Sequence, residues 1–266
     1  MIKKIIHSLH IVGHRRFQKV FERLYSFSLT GMNIGTATGI YEDGEMEVMK
    51  YVHGKKAHGN FILFDVGANV GKYTRALAEE FGSRAAIYSF EPSPKTFQTL
   101  SRNIASYEVC TGKTNLQNIG LGDTSGEVSL FTDADNSGLA SVYQRRLDHF
   151  NVSMDKKETV TLKTLDEFCE KNNIGSIDFL KMDVEGHELS VLHGAKKMLA
   201  KKAIQYIQFE FGGNNIDSRT FFQDFYYLLK DDFKLFRVVK DGLHPITEYR
   251  ESYECFLCST FFAERK

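Results

Sequence analysis

Residues 61–71 read FILFDVGANVG, an apolar run that meets an acid and ends in a glycine-spaced turn. An apolar stretch of this length, bounded by glycine, reads as a strand buried on both faces. Beyond the turn, Tyr73, Leu77 and Phe81 fall on one face of a helix. Strand, tight turn and helix in this order open a parallel α/β sheet, whose ligands bind outside the carboxyl ends of the strands. A dinucleotide fingerprint starting at Gly67 would need glycine at positions 69 and 72, where the chain has Asn69 and Lys72. Without the middle glycine a pyrophosphate loses its close approach to the backbone, which argues against NAD or FAD.

What remains is a turn of backbone N–H groups preceded by Asp65. An acid there suits an ammonium group and the helix N-terminus suits a carboxylate; the methionine part of S-adenosylmethionine (SAM) carries both. The second strand, Ala85–Phe90, runs into Glu91. A carboxylate at that place can accept both hydroxyls of a ribose, the plain alternative being a surface acid that caps the turn before Pro92. Ser93 then caps a helix that has Pro94 at its first position.

Strand and helix signals continue to alternate. Asn115–Ile119 is expected as a third strand, and the turn Thr124-Ser125-Gly126 leads into VSLF, a small antiparallel addition. Thr164 and Glu167 have capping-box spacing and start a helix ending near Ile174. Strands follow at Ile177–Met182 and Ile204–Phe211, with a helix between them carrying Leu189, Leu192, Ala195 and Leu199 on one face. An aromatic-rich helix from about Thr220 to Leu229 and two terminal strands complete the pattern. The strand at 177–182 delivers Lys181, Asp183, Glu185, His187 and Glu188 to the ligand end of the sheet. Mutual repulsion disfavours such a cluster in a cleft unless it has a task. The bland reading is that Glu185 and Glu188 simply begin a helix.

The 266 residues are 42% apolar and 26% charged, enough for a sizeable core. Lys and Arg equal Asp and Glu at 34 each, so no global field draws the chain to nucleic acid. Cys110, Cys169, Cys255 and Cys258 are too scattered for a disulfide framework, which fits a reducing cytoplasm. Cys255 and Cys258 form a C-x-x-C inside YECFLCSTFF, which reads as a packed strand rather than a metal or redox site. Residues 1–30 carry six basic side chains against Glu22 alone, and apolar residues from Ile5 to Leu24 recur at helical spacing. No stretch has the ~20 apolar residues of a membrane span or the ~7–15 of a secretory core. A basic helix of this kind either packs on its own domain or makes a peripheral contact with anionic lipid or a partner. The segment before Asn60 is a plausible boundary, giving an N-terminal helical extension over 1–58 and an α/β domain over 59–266.

The segments FDVGANVGKYT (64–74), FEPSP (90–94), NIGLGD (118–123), TLDEF (164–168) and KMDVEGHELSVLHGA (181–195) resemble the FkbM family of SAM-dependent methyltransferases. The resemblance covers roughly residues 60–210 with the motifs in family order. It implies a class I methyltransferase fold: a Rossmann-like, mostly parallel seven-stranded sheet with the last strand antiparallel, helices on both faces, and SAM across the carboxyl ends. It also implies methylation of a hydroxyl, often on a sugar or another secondary metabolite. Carried over by position, Asp65, Gly67, Asn69, Gly71 and Tyr73 surround the methionine end of SAM, and Glu91 holds the ribose. Asn118 and Ile119 border the adenine, Asp183 lies beneath the sulfonium, and Ser141 belongs to a small-residue loop beside the cofactor or substrate.

A neutral hydroxyl must lose its proton as the new bond forms, which calls for a base. His187 is the first expectation, with Asp183 and Glu185 beside it and Glu188 and Glu210 as alternatives. A divalent ion on Asp183, Glu210 and Asn214 or Asn215 is a further alternative; no resident metal is expected. The expected acceptor is a small molecule or glycan. RNA as acceptor would need a basic face with stacking aromatics, for which only the N-terminal segment speaks. A non-catalytic SAM-binding module is the remaining alternative.

Overall fold

The computed structural model describes residues 11–36 and 39–266. The first part of the expected N-terminal helix lies outside these residues; its described continuation is a helix at Gln18–Gly31, which buries only Leu29. Among the described residues no helix is long and apolar enough to cross a membrane.

The strands are β1 (Phe61–Val66), β2 (Ala85–Phe90), β3 (Thr114–Gln117), β4 (Gly120–Leu121), β5 (Gly126–Thr132), β6 (Lys156–Lys163), β7 (Ile177–Met182), β8 (Ile204–Phe211), β9 (Phe233–Val239), β10 (Gly242–Ile246) and β11 (Ser259–Arg265). Eight of them form one sheet in the order β10-β9-β11-β8-β7-β1-β2-β3. From β3 to β8 the pairings are parallel. β11 slots antiparallel between β8 and β9. The class I architecture is as expected, but the sheet has eight strands rather than seven. The extra strand is β10, which folds back on β9 through Lys240 and Asp241. Its Pro245 is tolerated because an edge strand has one side without ladder bonds.

Three local expectations are corrected. β3 stops at Gln117, and the chain resumes as β4 in a second sheet of order β4-β6-β5. The VSLF strand is there, within β5, and its partner is β6, a strand that was not among those expected. The helix after β7 is split into Glu188–His193 and Lys196–Ala200. A Cβ on Gly194, between them, would stand 2.0 Å from the carbonyl oxygen of Gly122, so the break lets two backbones touch. Finally, Cys255 and Cys258 lie in a loop, with Phe256 left-handed at φ 43°, and the strand begins only at Ser259. All four cysteines are free.

One apolar cluster packs the helices Leu165–Lys171, Glu188–His193 and Phe222–Leu229 on one face of the sheet. The other packs Lys72–Phe81, Pro94–Ser106 and Glu45–Gly54 on the opposite face. Val48, Met49 and Val52 of Glu45–Gly54 are wholly buried there, each contributing roughly 1.5–3 kcal/mol. This helix, assigned from sequence to the N-terminal extension, thus shares the core of the sheet. Its start is fixed by Gly44 at φ 100°, where a Cβ would stand 2.2 Å from the carbonyl oxygen of Val239. Chain order reverses between β1 and β7, so a crevice opens at the carboxyl ends of those strands.

Candidate active site

A cavity of about 410 Å³ occupies that crevice. Of the residues expected at the site, Gly67, Asn69, Tyr73, Glu91, Ser141, Asp183, Glu185 and His187 line it. Asp65, Gly71, Asn118 and Ile119 are not among its walls.

Asp65 is fully buried. It stands in register with Lys181 on the neighbouring strand, and the two are ion-paired at 3.2 Å. Its other oxygen accepts a 2.6 Å hydrogen bond from Thr74 Oγ1. Gly71 is left-handed at φ 93°, and a Cβ there would stand 2.8 Å from Leu100 Cδ1. Its absence of a side chain lets the helix Lys72–Phe81 pack against Pro94–Ser106. Asn118 donates to the carbonyl oxygens of Glu91 and Pro92 at 2.9 and 3.0 Å, holding the turn after β2. Ile119 packs against the core.

On the cavity side, Glu91 accepts the backbone N–H of Asn69 at 3.1 Å on one oxygen and that of Ser93 at 2.9 Å on the other. Burial pushes its carboxyl up to about 7, although both N–H groups pull the other way. Asn69 is left-handed at φ 46°. Its side chain donates to the Ser137 carbonyl at 2.8 Å and so ties the glycine turn to the loop that covers it. Ser141, in that loop, donates to the Glu185 carbonyl oxygen at 2.8 Å.

The tip of β7 supplies the opposite wall. Asp183 has the most open of these carboxylates, its side chain 43% exposed, and lies 3.7 Å from Lys181 Nζ. Glu185, left-handed at φ 51°, is paired with Arg145 and accepts from Asn214 Nδ2 at 3.4 Å. Burial and the nearby Asp183 push its carboxyl up to about 8, against the pull of Arg145. His187 shares a 3.1 Å hydrogen bond between Nδ1 and the Tyr143 hydroxyl. Its Nε2 is buried without a partner and faces Gly122. Burial lowers the imidazole from its ordinary value, so the ring is neutral at pH 7. Glu188 is wholly buried and accepts the N–H groups of Val184 and Gly186, at 2.8 and 3.3 Å, which gives it a task in closing the turn. Among the described residues no three His, Cys, Asp or Glu side chains are arranged to hold a metal ion.

Two members of the cavity wall had no assigned role on sequence. Lys181 also points at the Gly67 carbonyl oxygen, 3.5 Å away, and sits 4.9 Å from the centre of the Tyr73 ring. Burial opposes its charge, but Asp65, Asp183 and Glu45 outweigh that and raise its pKa. Glu45, the first residue of Glu45–Gly54, accepts from Gln208 Nε2 at 2.6 Å; Gln208 in turn accepts from the Tyr73 hydroxyl at 3.1 Å. In the sequence Glu45 is one of four acids between residues 42 and 47, with nothing to set it apart.

Residues 65–235 match the model of the methyltransferase FkbM domain. Relatives include the hexuronic acid methyltransferase AglP of Haloferax volcanii, 28% identical over 158 residues, which are 59% of this chain and 58% of that protein. The 2-O-methyltransferase NoeI of Sinorhizobium fredii is 24% identical over 157 residues, 56% of this chain and 63% of that protein. The chain thus spans only about three fifths of the length of these relatives. Among solved structures, the methyltransferase FkbM from Methylobacillus flagellatus KT aligns with a TM-score of 0.47 at 16% identity, over 77% of this chain and 43% of that one. An O-methyltransferase from Bacillus cereus in complex with SAH aligns with a TM-score of 0.47 at 12% identity, over 100% of this chain and 97% of that one. With a family match over more than half its length, on a class I sheet whose crevice gathers the motif residues, the chain belongs to the FkbM family of SAM-dependent methyltransferases.

Proposed function

We propose that the protein transfers the methyl group of SAM to a hydroxyl of a sugar, a glycan or a similarly polyhydroxylated small molecule. Glu91 carries the cofactor half of this reading. Each of its oxygens already accepts one backbone N–H, which fixes the carboxylate and leaves one acceptor position per oxygen for a vicinal diol. The cavity volume lies within the ~300–1,000 Å³ of small-ligand sites, and Leu130 and Leu162 in its wall suit an apolar ring. The acceptor half rests on the relatives, one named for a hexuronic acid and another for 2-O transfer.

SAM supplies an electrophilic methyl group on a sulfonium. The protein's work is to hold the acceptor oxygen in line, exclude water and take a proton. Asp183 is the residue assigned to the proton. It is open to the cavity, whereas His187 has Nδ1 engaged by Tyr143 and Nε2 sealed against Gly122. His187 then acts through Tyr143, holding that hydroxyl in place. Incubation with isotopically labelled SAM and a panel of sugars and uronic acids, with bulk RNA in parallel, tests the reading. Label in a sugar ether supports it, and label in RNA alone overturns it.

A further inference from the structure

We propose that Glu45, from the helix that precedes the sheet in sequence, is the counter-charge for the α-ammonium group of the cofactor's methionine part. The inference rests on SAM occupying the cavity. The acid read from sequence for this task, Asp65, has both oxygens turned to Thr74 and Lys181 and is no part of the wall. Glu91, at the tip of β2, is taken by the ribose in that reading. Glu45 does line the cavity, and it is aimed. One oxygen is fixed by the buried Gln208, itself held by Tyr73; the other takes no hydrogen bond among the described residues. Gly44 packed on the Val239 carbonyl and the buried Val48, Met49 and Val52 leave the helix start no freedom to swing away.

Charge arithmetic at this end agrees. Lys181 is surrounded by Asp65 behind the wall and by Asp183 and Glu45 on it, so acids are in excess at this end, which accommodates a further cation. Burial meanwhile pushes the Glu45 carboxyl up to about 8, only partly offset by Lys181. An ammonium group at hydrogen-bond distance would relieve that cost.

The test is calorimetric binding of S-adenosylhomocysteine and of its deaminated analogue, 5′-S-(3-carboxypropyl)-5′-thioadenosine. Wild-type protein is expected to prefer the amine-bearing ligand. Glu45→Gln, which keeps an oxygen for Gln208, is expected to lose about tenfold or more in affinity for S-adenosylhomocysteine and to bind the analogue as wild type does. Glu45→Asp, with the charge kept and the reach shortened, is expected to fall between. Equal affinity of wild type for both ligands, or a loss in Glu45→Gln that is zero or the same for both, overturns the assignment while leaving the cofactor site intact. Wild-type protein that binds neither overturns the reading of the cavity itself.

Discussion

Gly67 and Asp183 are locked together: a Cβ on Gly67 would stand 1.8 Å from the Asp183 carbonyl oxygen, and the Asp183 N–H donates to Val66 at 3.0 Å. The glycine turn of β1 and the acidic tip of β7 are therefore one unit, and the cavity keeps its shape only while they touch. Gly67 is also left-handed at φ 83°, so a side chain meets both a clash and a strained backbone. Gly67→Ala is expected to destabilise the protein by about 2 kcal/mol or more and to abolish SAM binding. Thermal denaturation and calorimetry check it; a variant with wild-type melting and affinity would refute the interlock.

Glu91→Gln is expected to weaken S-adenosylhomocysteine binding by about tenfold or more, because a diol loses a charged acceptor. A pH dependence accompanies it. The free carboxyl is pushed up to about 7, and hydroxyl donors favour the ionised form, so wild-type affinity should rise as pH goes from 6 to 8. The same titration on Glu91→Gln should be flatter over that range. Parallel curves for the two proteins would remove Glu91 from the binding site.

Asp183→Asn is expected to cut kcat by about 100-fold or more with little change in SAM affinity, if its carboxylate takes the acceptor's proton. His187→Gln and Tyr143→Phe should have smaller effects of similar size, since they act as a pair. Single-turnover rates separate these outcomes. A larger loss in His187→Gln than in Asp183→Asn would transfer the role of base to the imidazole.

Stability of the ligand-free protein should rise as pH falls from 8.5 to 7. Burial pushes Glu45 up to about 8 and Glu91 and Glu188 up to about 7, from 4.5 for an unburied glutamate. Between the unfolded and folded values the native state holds protons that the unfolded chain releases, so each unit of rising pH favours unfolding. Below about pH 6.5 the buried His187, held neutral, contributes the opposite slope. Melting temperatures across this range check the sign; a melting point that climbs from pH 7 to 8.5 would contradict it.

The parallel centre of the sheet was legible because β1, β2 and β7 are apolar runs ending in distinctive residues, and side chains such as Glu91 and Asp183 sit one residue past those ends. Periodicity was less help at the margins. β6 has its first residues exposed and buries only Val160 and Leu162, so its alternation covers too few apolar residues to stand out in the sequence. β10 carries a proline, which counts against a strand unless its edge position is known. Asp65 was assigned to the ligand because its partner, Lys181, lies in register only after β1 and β7 pair. Glu45 stayed hidden for a related reason. Glu45 and Glu47 are alike as acids in a first turn, and only the packing of Val48, Met49 and Val52 turns one of them inward.

The position of β11 has a consequence for the order in which the molecule assembles. β8 and β9 are successive strands, yet neither pairs with the other, and both wait for residues 259–265. A nascent chain emerging from the ribosome must therefore carry two unpaired, apolar sheet margins until those residues arrive, a period in which sticky intermediates and chaperone engagement are favoured.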